Sequence, residues 1–273
     1  MKANLTTPLI SLSIALLPLF FWGCSKDKGG GTDINIFTVQ DDIALGQQLK
    51  QEIESKPQEY PLLDEIQYAE AYGHMYRMRD SILNTGELKY DETFEWEIGI
   101  IQNDSVLNAF CAPGGYIYFY TGIIKFLDNE AQCAGVLGHE MAHADLRHTT
   151  DQLTRAYGIQ ILLSIVLGNN PTKMAEIVAG LAAGVASLAF SRSAETEADE
   201  FGVKYLYKTE YDARGVAGFF EKLDGSPQPP VFLSTHPHPD DRYEHIQEVW
   251  QSLGGEEGEL FEDRYQNFIS ILP

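Results

Sequence analysis

Residues 136–148 read Val-Leu-Gly-His-Glu-Met-Ala-His-Ala-Asp-Leu-Arg-His, and His139, Glu140 and His143 make the pattern H-E-x-x-H within them. The chain has a helical pattern from Asp128 onward, so the motif lies on a helix. Residues four apart on a helix are rotated by about 40°, which puts His139 and His143 on one face where two imidazoles can bind one zinc ion. Glu140 lies about 100° round from His139, beside the metal rather than on it. It is placed to hold a zinc-activated water and take its proton as the water attacks a carbonyl. The match is suggestive by itself; a third ligand decides whether it is a metal site.

A metzincin would continue H-E-x-x-H-x-x-G-x-x-H, but Leu146 stands at the Gly position and Thr149 at the last His position. His148 comes one position early. On a continuing helix it lies about 140° from His143, off the ligand face, and reads as a packing or surface histidine. The other source of a ligand is a carboxylate on a second helix. Ser193-Ala194-Glu195-Thr196-Glu197-Ala198-Asp199 offers Glu195 and Asp199 on one face, four apart. Glu195 completes a His₂Glu site with an open fourth position, and Asp199 accepts the second ring N–H of a ligating histidine. Glu197 and Glu200 compete for the role, and point elsewhere if Glu195 points in. Ser234-Thr235-His236-Pro237-His238-Pro239-Asp240-Asp241-Arg242 is the remaining place with a His and an Arg close together. Arg242 with His236 or His238 is expected to stabilise the oxyanion of the reaction. A second role for a histidine of this loop is to fill the fourth metal position at rest.

The chain has 273 residues, 44% hydrophobic and 22% charged, as in ordinary globular proteins. Its net charge of −21 comes from 19 Lys and Arg against 40 Asp and Glu, which argues against nucleic acid as a partner and against electrostatic docking on an anionic membrane. At the N-terminus Leu9 to Trp22 is apolar but short for a spanning helix, so it reads as a secretory signal. Gly23-Cys24 closing that segment resembles a bacterial lipobox, which implies cleavage before Cys24 and lipidation there. The expected organisation is a signal peptide over 1–23, a flexible tether over 24–34 and a metalloprotease domain over 35–273. Of the other cysteines, Cys111 and Cys133, neither belongs to a C-x-x-C pair, and the sequence leaves open whether they pair with each other.

Helical spacing of apolar residues covers Asn35 to Lys56 and Pro61 to Leu83. Phe94 to Ile100 alternates like a half-buried strand, and Val106 to Cys111 and Tyr116 to Tyr120 read as two strands around a Pro113-Gly114-Gly115 turn. The helical run from Asp128 to about Lys222 breaks near Gly168-Asn169-Asn170-Pro171 and at Asp212. The Pro-rich stretch Gly225 to Asp241 reads as a loop, with helices after it. Ile161 to Leu167 and Ala175 to Phe190 are apolar and read as buried helices rather than membrane contacts. The layout is α+β: a mainly helical, zincin-type domain with a small antiparallel or mixed sheet.

Asn108-Ala109-Phe110, Pro113-Gly114-Gly115-Tyr116-Ile117-Tyr118, Gly138 to His143, Ser191-Arg192 with Glu195-x-x-Ala198-Asp199, and Thr235-His236-Pro237 with Arg242 follow one another in the chain. This series resembles the HtpX and CAAX-prenyl-protease-type zinc metallopeptidases, and the chain looks like a short bacterial lipoprotein member. The resemblance implies one Zn²⁺ per chain on His139, His143 and Glu195, with Glu140 as general base. It also implies that Tyr116, Ile117, Tyr118 and Phe119 lie on an edge strand to which an extended polypeptide adds. The expected function is a metalloendopeptidase anchored through Cys24 at the periplasmic face of the outer membrane or at the cell surface, acting on misfolded or misassembled envelope proteins. The alternative is a gated or slow protease acting mainly as a chaperone-like binding and assembly lipoprotein. An aminopeptidase would need an anchor for a free substrate amine, and no such motif lies near the site.

Overall fold

The computed structural model describes residues 35–182, 189–223, 232–236 and 241–273. The expected signal peptide, Cys24 and the tether over 24–34 lie outside the described residues. The fold is built round helix α4 (Glu130–Asp145), which carries His139, Glu140 and His143 and is buried at every position but Gln132. Asn129 caps it, its side chain accepting from Gln132 N at 2.9 Å. Full burial of side chains such as Leu137 and Met141 on this helix contributes about 1.5–3 kcal/mol each.

Helix α1 (Val39–Glu54) opens with a capping box between Thr38 and Asp41, and α2 (Ala69–Leu83) follows. The sheet holds β1 (Glu97–Ile101), β2 (Ala109–Ala112) and β3 (Tyr116–Tyr120) in the order β1-β3-β2. β1 runs parallel to β3, with Ile98 opposite Ile117; β2 runs antiparallel to it, with Phe110 opposite Tyr118. Ala109, Cys111, Ile117 and Phe119 pack towards α4, while Ala112, Tyr116 and Tyr118 pack towards Leu45 and Leu49 of α1. A mainly helical α+β domain with a small mixed sheet is therefore the fold.

The remaining helices are α3 (Thr121–Phe126), α5 (His148–Tyr157), α6 (Ile159–Val166), α7 (Pro171–Ala182), α8 (Arg192–Tyr207), α9 (Gly215–Leu223), α10 (Phe232–Thr235), α11 (Arg242–Ser252) and α12 (Glu262–Ser270). α8 and α9 flank α4, and α11 packs on α8. Small residues set these spacings. A Cβ on Gly202 of α8 would stand 3.3 Å from His139 N, and one on Gly135 of α4 only 2.4 Å from the backbone of Gly215. α4 and α8 approach nearly backbone to backbone.

Several expectations are corrected. Tyr116, Ile117, Tyr118 and Phe119 are on the central strand, paired on both sides, so no chain can add there. Among the described residues the outer edge of β2 has no strand partner. The helix expected from Pro61 begins at Ala69, because Pro61 O accepts from Gln102 N and Leu63 N donates to Ile100 O, both at 2.8 Å, extending the sheet beyond β1. The strand expected from Phe94 starts at Glu97, since Trp96 sits at φ 46°, outside strand geometry. The helical run after Asp128 breaks also at Arg147 (φ 61°) and Gly158 (φ 75°). On α6, Leu162 and Ile165 are buried as expected, but Ile159, Ile161 and Leu163 are exposed. Residues 183–188 of the second apolar stretch, and 225–231 and 237–240 of the Pro-rich one, lie outside the described residues; α10 occupies part of the latter stretch. Among the described residues no helix is long and apolar enough to cross a membrane. Cys111 and Cys133 are buried free thiols.

Candidate metal centre

His139 and His143 leave the same face of α4, as their spacing requires, with Nε2 atoms 3.0 Å apart. Glu195 leaves the first turn of α8, whose N-cap Ser191 accepts from Ala194 N at 3.2 Å. Its Oε1 lies 3.4 Å from His143 Nε2 and its Oε2 3.5 Å from His139 Nε2. His236, directly after α10, brings Nδ1 to 3.0 Å from Glu195 Oε1 and 3.4 Å from His139 Nε2. One donor atom from each of these four buried residues lies within 4.8 Å of the others, a cluster able to hold a metal ion. Among the described residues no other such group of His, Cys, Asp or Glu occurs. Three imidazoles and one carboxylate fit a four-coordinate N/O site.

The two competing carboxylates face elsewhere: Glu200 pairs with Lys204 at 2.6 Å, and Glu197 is half-exposed and 3.3 Å from His148 Nε2. Asp199 is buried behind the site, with Oδ1 2.9 Å from His139 Nδ1. Arg242 donates to the same carboxylate through Nε (2.5 Å) and Nη2 (2.7 Å), places Nη1 3.1 Å from Glu195 Oε2, and stacks its guanidinium on the Phe220 ring at 3.8 Å. Its donors are directed at the acids behind the cluster, where it braces them. Burial by itself would push His139 down, but its bonds to Asp199 and Glu195 outweigh this and hold it up at about 9. Burial likewise opposes ionisation of Glu195 and Asp199, yet His236 and Arg242 respectively, with His139, keep both below the ordinary carboxylate range.

Glu140 is fully buried, and neither of its oxygens has a nitrogen or oxygen hydrogen-bond partner among the described residues. His236 Nε2 is 3.4 Å from its Oε1. Beside it on β2 is Cys111, whose thiol burial pushes well up, the Glu140 charge adding to the effect. A buried carboxylate with no nitrogen or oxygen donor among the described residues calls for an explanation, and a reacting water or substrate amine would supply one. Two aromatic rings wall the cluster: Phe190 stacks on His143 with centroids 3.9 Å apart, and Phe232 stacks on His236 at 4.2 Å. The sequence pattern pointed to neither ring. His148 is buried and outside the donor cluster, as a packing histidine would be, but the helix break at Arg147 brings its Nδ1 to 2.9 Å from His143 Nδ1, a contact the periodicity did not give.

Comparison with known proteins accords with this arrangement. The chain is 34% identical over 148 residues to the mitochondrial metalloendopeptidase OMA1 of Arabidopsis thaliana, covering 54% of this chain and 30% of that one. It is 33% identical over 156 residues to the beta-barrel assembly-enhancing protease of Escherichia coli, covering 52% and 32%. With the mitochondrial metalloendopeptidase OMA1 of Schizosaccharomyces pombe it shares 29% identity over 160 residues, covering 56% and 46%. The chain thus spans less than half the length of these curated relatives. The model of peptidase family M48 matches residues 76–250, a span that contains all three strands, the H-E-x-x-H helix, Glu195, Asp199, His236 and Arg242, and the chain belongs to that family.

Proposed function

We propose that this protein is a zinc-dependent metalloendopeptidase of the bacterial cell envelope, with one Zn²⁺ held by His139, His143 and Glu195. The observation that carries the reading is the convergence of these buried donors beside Glu140, a buried carboxylate whose oxygens have no nitrogen or oxygen partner among the described residues. Zinc bound there supplies a Lewis acid that acidifies water and polarises a peptide carbonyl. Glu140 takes the proton from the attacking water and delivers it to the departing amine. Asp199 fixes the His139 ring from behind, and Arg242 holds Asp199 and Glu195 in place. The outer edge of β2, Ala109–Ala112, has no strand partner among the described residues and lies against α4. An extended substrate adds along that edge and passes Cys111 next to Glu140.

His236 is the fourth donor at rest and must withdraw before a substrate carbonyl can enter, so the enzyme is gated. Its position supports gating over a constantly open site. Lipidation at Cys24 holds the protein at the periplasmic face of the outer membrane or the cell surface, and misfolded or misassembled envelope proteins are the polypeptides cleaved. The name of the Escherichia coli relative, a beta-barrel assembly-enhancing protease, supports this substrate class. Casein digestion with and without a chelator tests the activity. Glu140→Gln should retain zinc and peptide binding while losing about 10²- to 10⁴-fold in hydrolysis; hydrolysis at the wild-type rate would remove Glu140 from its role. Cys24→Ala should move the protein from the membrane to the soluble fraction.

A further inference from the structure

α4 ends at Asp145, and Arg147 adopts φ 61°, ψ 31°, in the left-handed region that residues with a Cβ rarely enter. What holds it there is distant in sequence. The Arg147 guanidinium binds the buried Asp42 carboxylate of α1 through Nε and Nη2, and Nη2 also donates to Phe37 O at 2.5 Å. The turn restarts the chain as α5 with His148 as its first residue. His148 is thereby swung back beneath His143, their Nδ1 atoms 2.9 Å apart and their ring centroids 4.9 Å apart.

The proton positions in this contact are dictated. His143 Nε2 faces the donor cluster, so a ligating His143 carries its proton on Nδ1 and is a donor there. His148 Nδ1 must then be the acceptor, which makes His148 the neutral tautomer protonated on Nε2. That Nε2–H is directed at Glu197 Oε2, 3.3 Å away. In this arrangement both contacts are hydrogen bonds while His143 keeps a lone pair for a metal. The half-exposed Glu197 is thus connected through His148 and His143 to the centre, as Asp199 is through His139.

We propose that His148 is a positioning residue of the metal centre: it fixes the tautomer and ring plane of His143, as Asp199 does for His139, and Glu197 fixes His148 in turn. The inference rests on the metal-centre reading above. A histidine that merely filled space would not need directed contacts at both ring nitrogens.

The full chain carrying His148→Leu, His148→Gln, Glu197→Ala or His143→Ala tests this. The measurements are zinc affinity by chelator competition, the visible spectrum of the cobalt-substituted protein, and Tm in excess chelator. His148→Leu fills the space but cannot accept from His143; zinc affinity should fall about 10- to 100-fold and the cobalt spectrum should change, with Tm in chelator nearly unmoved. His148→Gln, whose amide oxygen can accept the Nδ1–H, should regain most of the loss. Glu197→Ala, at a half-exposed position, should lose less than about tenfold and shift the cobalt spectrum in the same direction. Wild-type affinity in His148→Leu, or His148→Gln as weak as His148→Leu, overturns the proposal. If His148→Leu does not fold, His148→Gln and Glu197→Ala decide: an unchanged cobalt spectrum in both overturns it. His143→Ala separates the two levels, since zinc bound there with wild-type affinity would overturn the metal-centre reading itself.

Discussion

Asp199 and His139 are joined at 2.9 Å, carboxylate oxygen to the ring nitrogen that faces away from the donor cluster, and Arg242 grips the same carboxylate with two further bonds. Asp199 therefore sets which His139 nitrogen is free for a metal. Asp199→Asn keeps the shape but weakens the acceptor, and zinc affinity should drop about 10- to 100-fold in chelator competition. Unchanged affinity would reduce Asp199 to a partner of Arg242 alone.

The same carboxylate gives the fold an acid limit. Burial opposes its ionisation, but Arg242 and His139 outweigh burial and bring the folded carboxyl below its ordinary 3.8. A depressed carboxyl contributes its full stabilisation above the unfolded value and loses it as pH falls through the folded one. Tm should therefore be flat with respect to this group above about pH 4 and decline below it. In Asp199→Asn that decline should be shallower; an identical acid slope in both proteins would assign the loss to other carboxylates.

His236 distinguishes gating from transition-state stabilisation. Its Nδ1 is 3.0 Å from Glu195 Oε1, and Phe232 stacks on its ring. His236→Ala should retain zinc through the other three donors and raise the rate of peptide hydrolysis. A fall in kcat of about 10²- to 10³-fold would instead make His236 an oxyanion donor, and an unchanged rate would exclude both roles.

Gly135 lies one turn before His139, and a Cβ there would stand 2.4 Å from Gly215 C. Neither backbone can yield without moving α4 against α9. Gly135→Ala should destabilise by about 1–3 kcal/mol in denaturant unfolding. Because the displaced helix carries both histidines, zinc affinity should weaken alongside. A stability change below about 0.5 kcal/mol would mean that the helices separate without strain.

The local rules written in the sequence sufficed to place the side chains of α4 and α8 that meet in the cluster. The four-residue spacing of His139 and His143, and of Glu195 and Asp199, fixes which side chains share a face whatever else the chain does. The Pro113-Gly114-Gly115 turn likewise fixed the antiparallel pairing of β2 and β3, with φ 77° and 87° at the glycines. Which strand lies in the middle was not local information. β1 arrives from elsewhere and takes the other side of β3, so β3 becomes the central strand and β2 lies at an edge. His148 is the sharpest case. Extrapolating an unbroken helix carries it away from His143, because helical phase accumulates at about 100° per residue. It returns because the chain turns at left-handed Arg147, whose guanidinium pairs with Asp42, 105 residues before it. Periodicity fixes neighbours within an element; a contact that goes with a partly buried ion pair closing a long loop belongs to the tertiary structure alone.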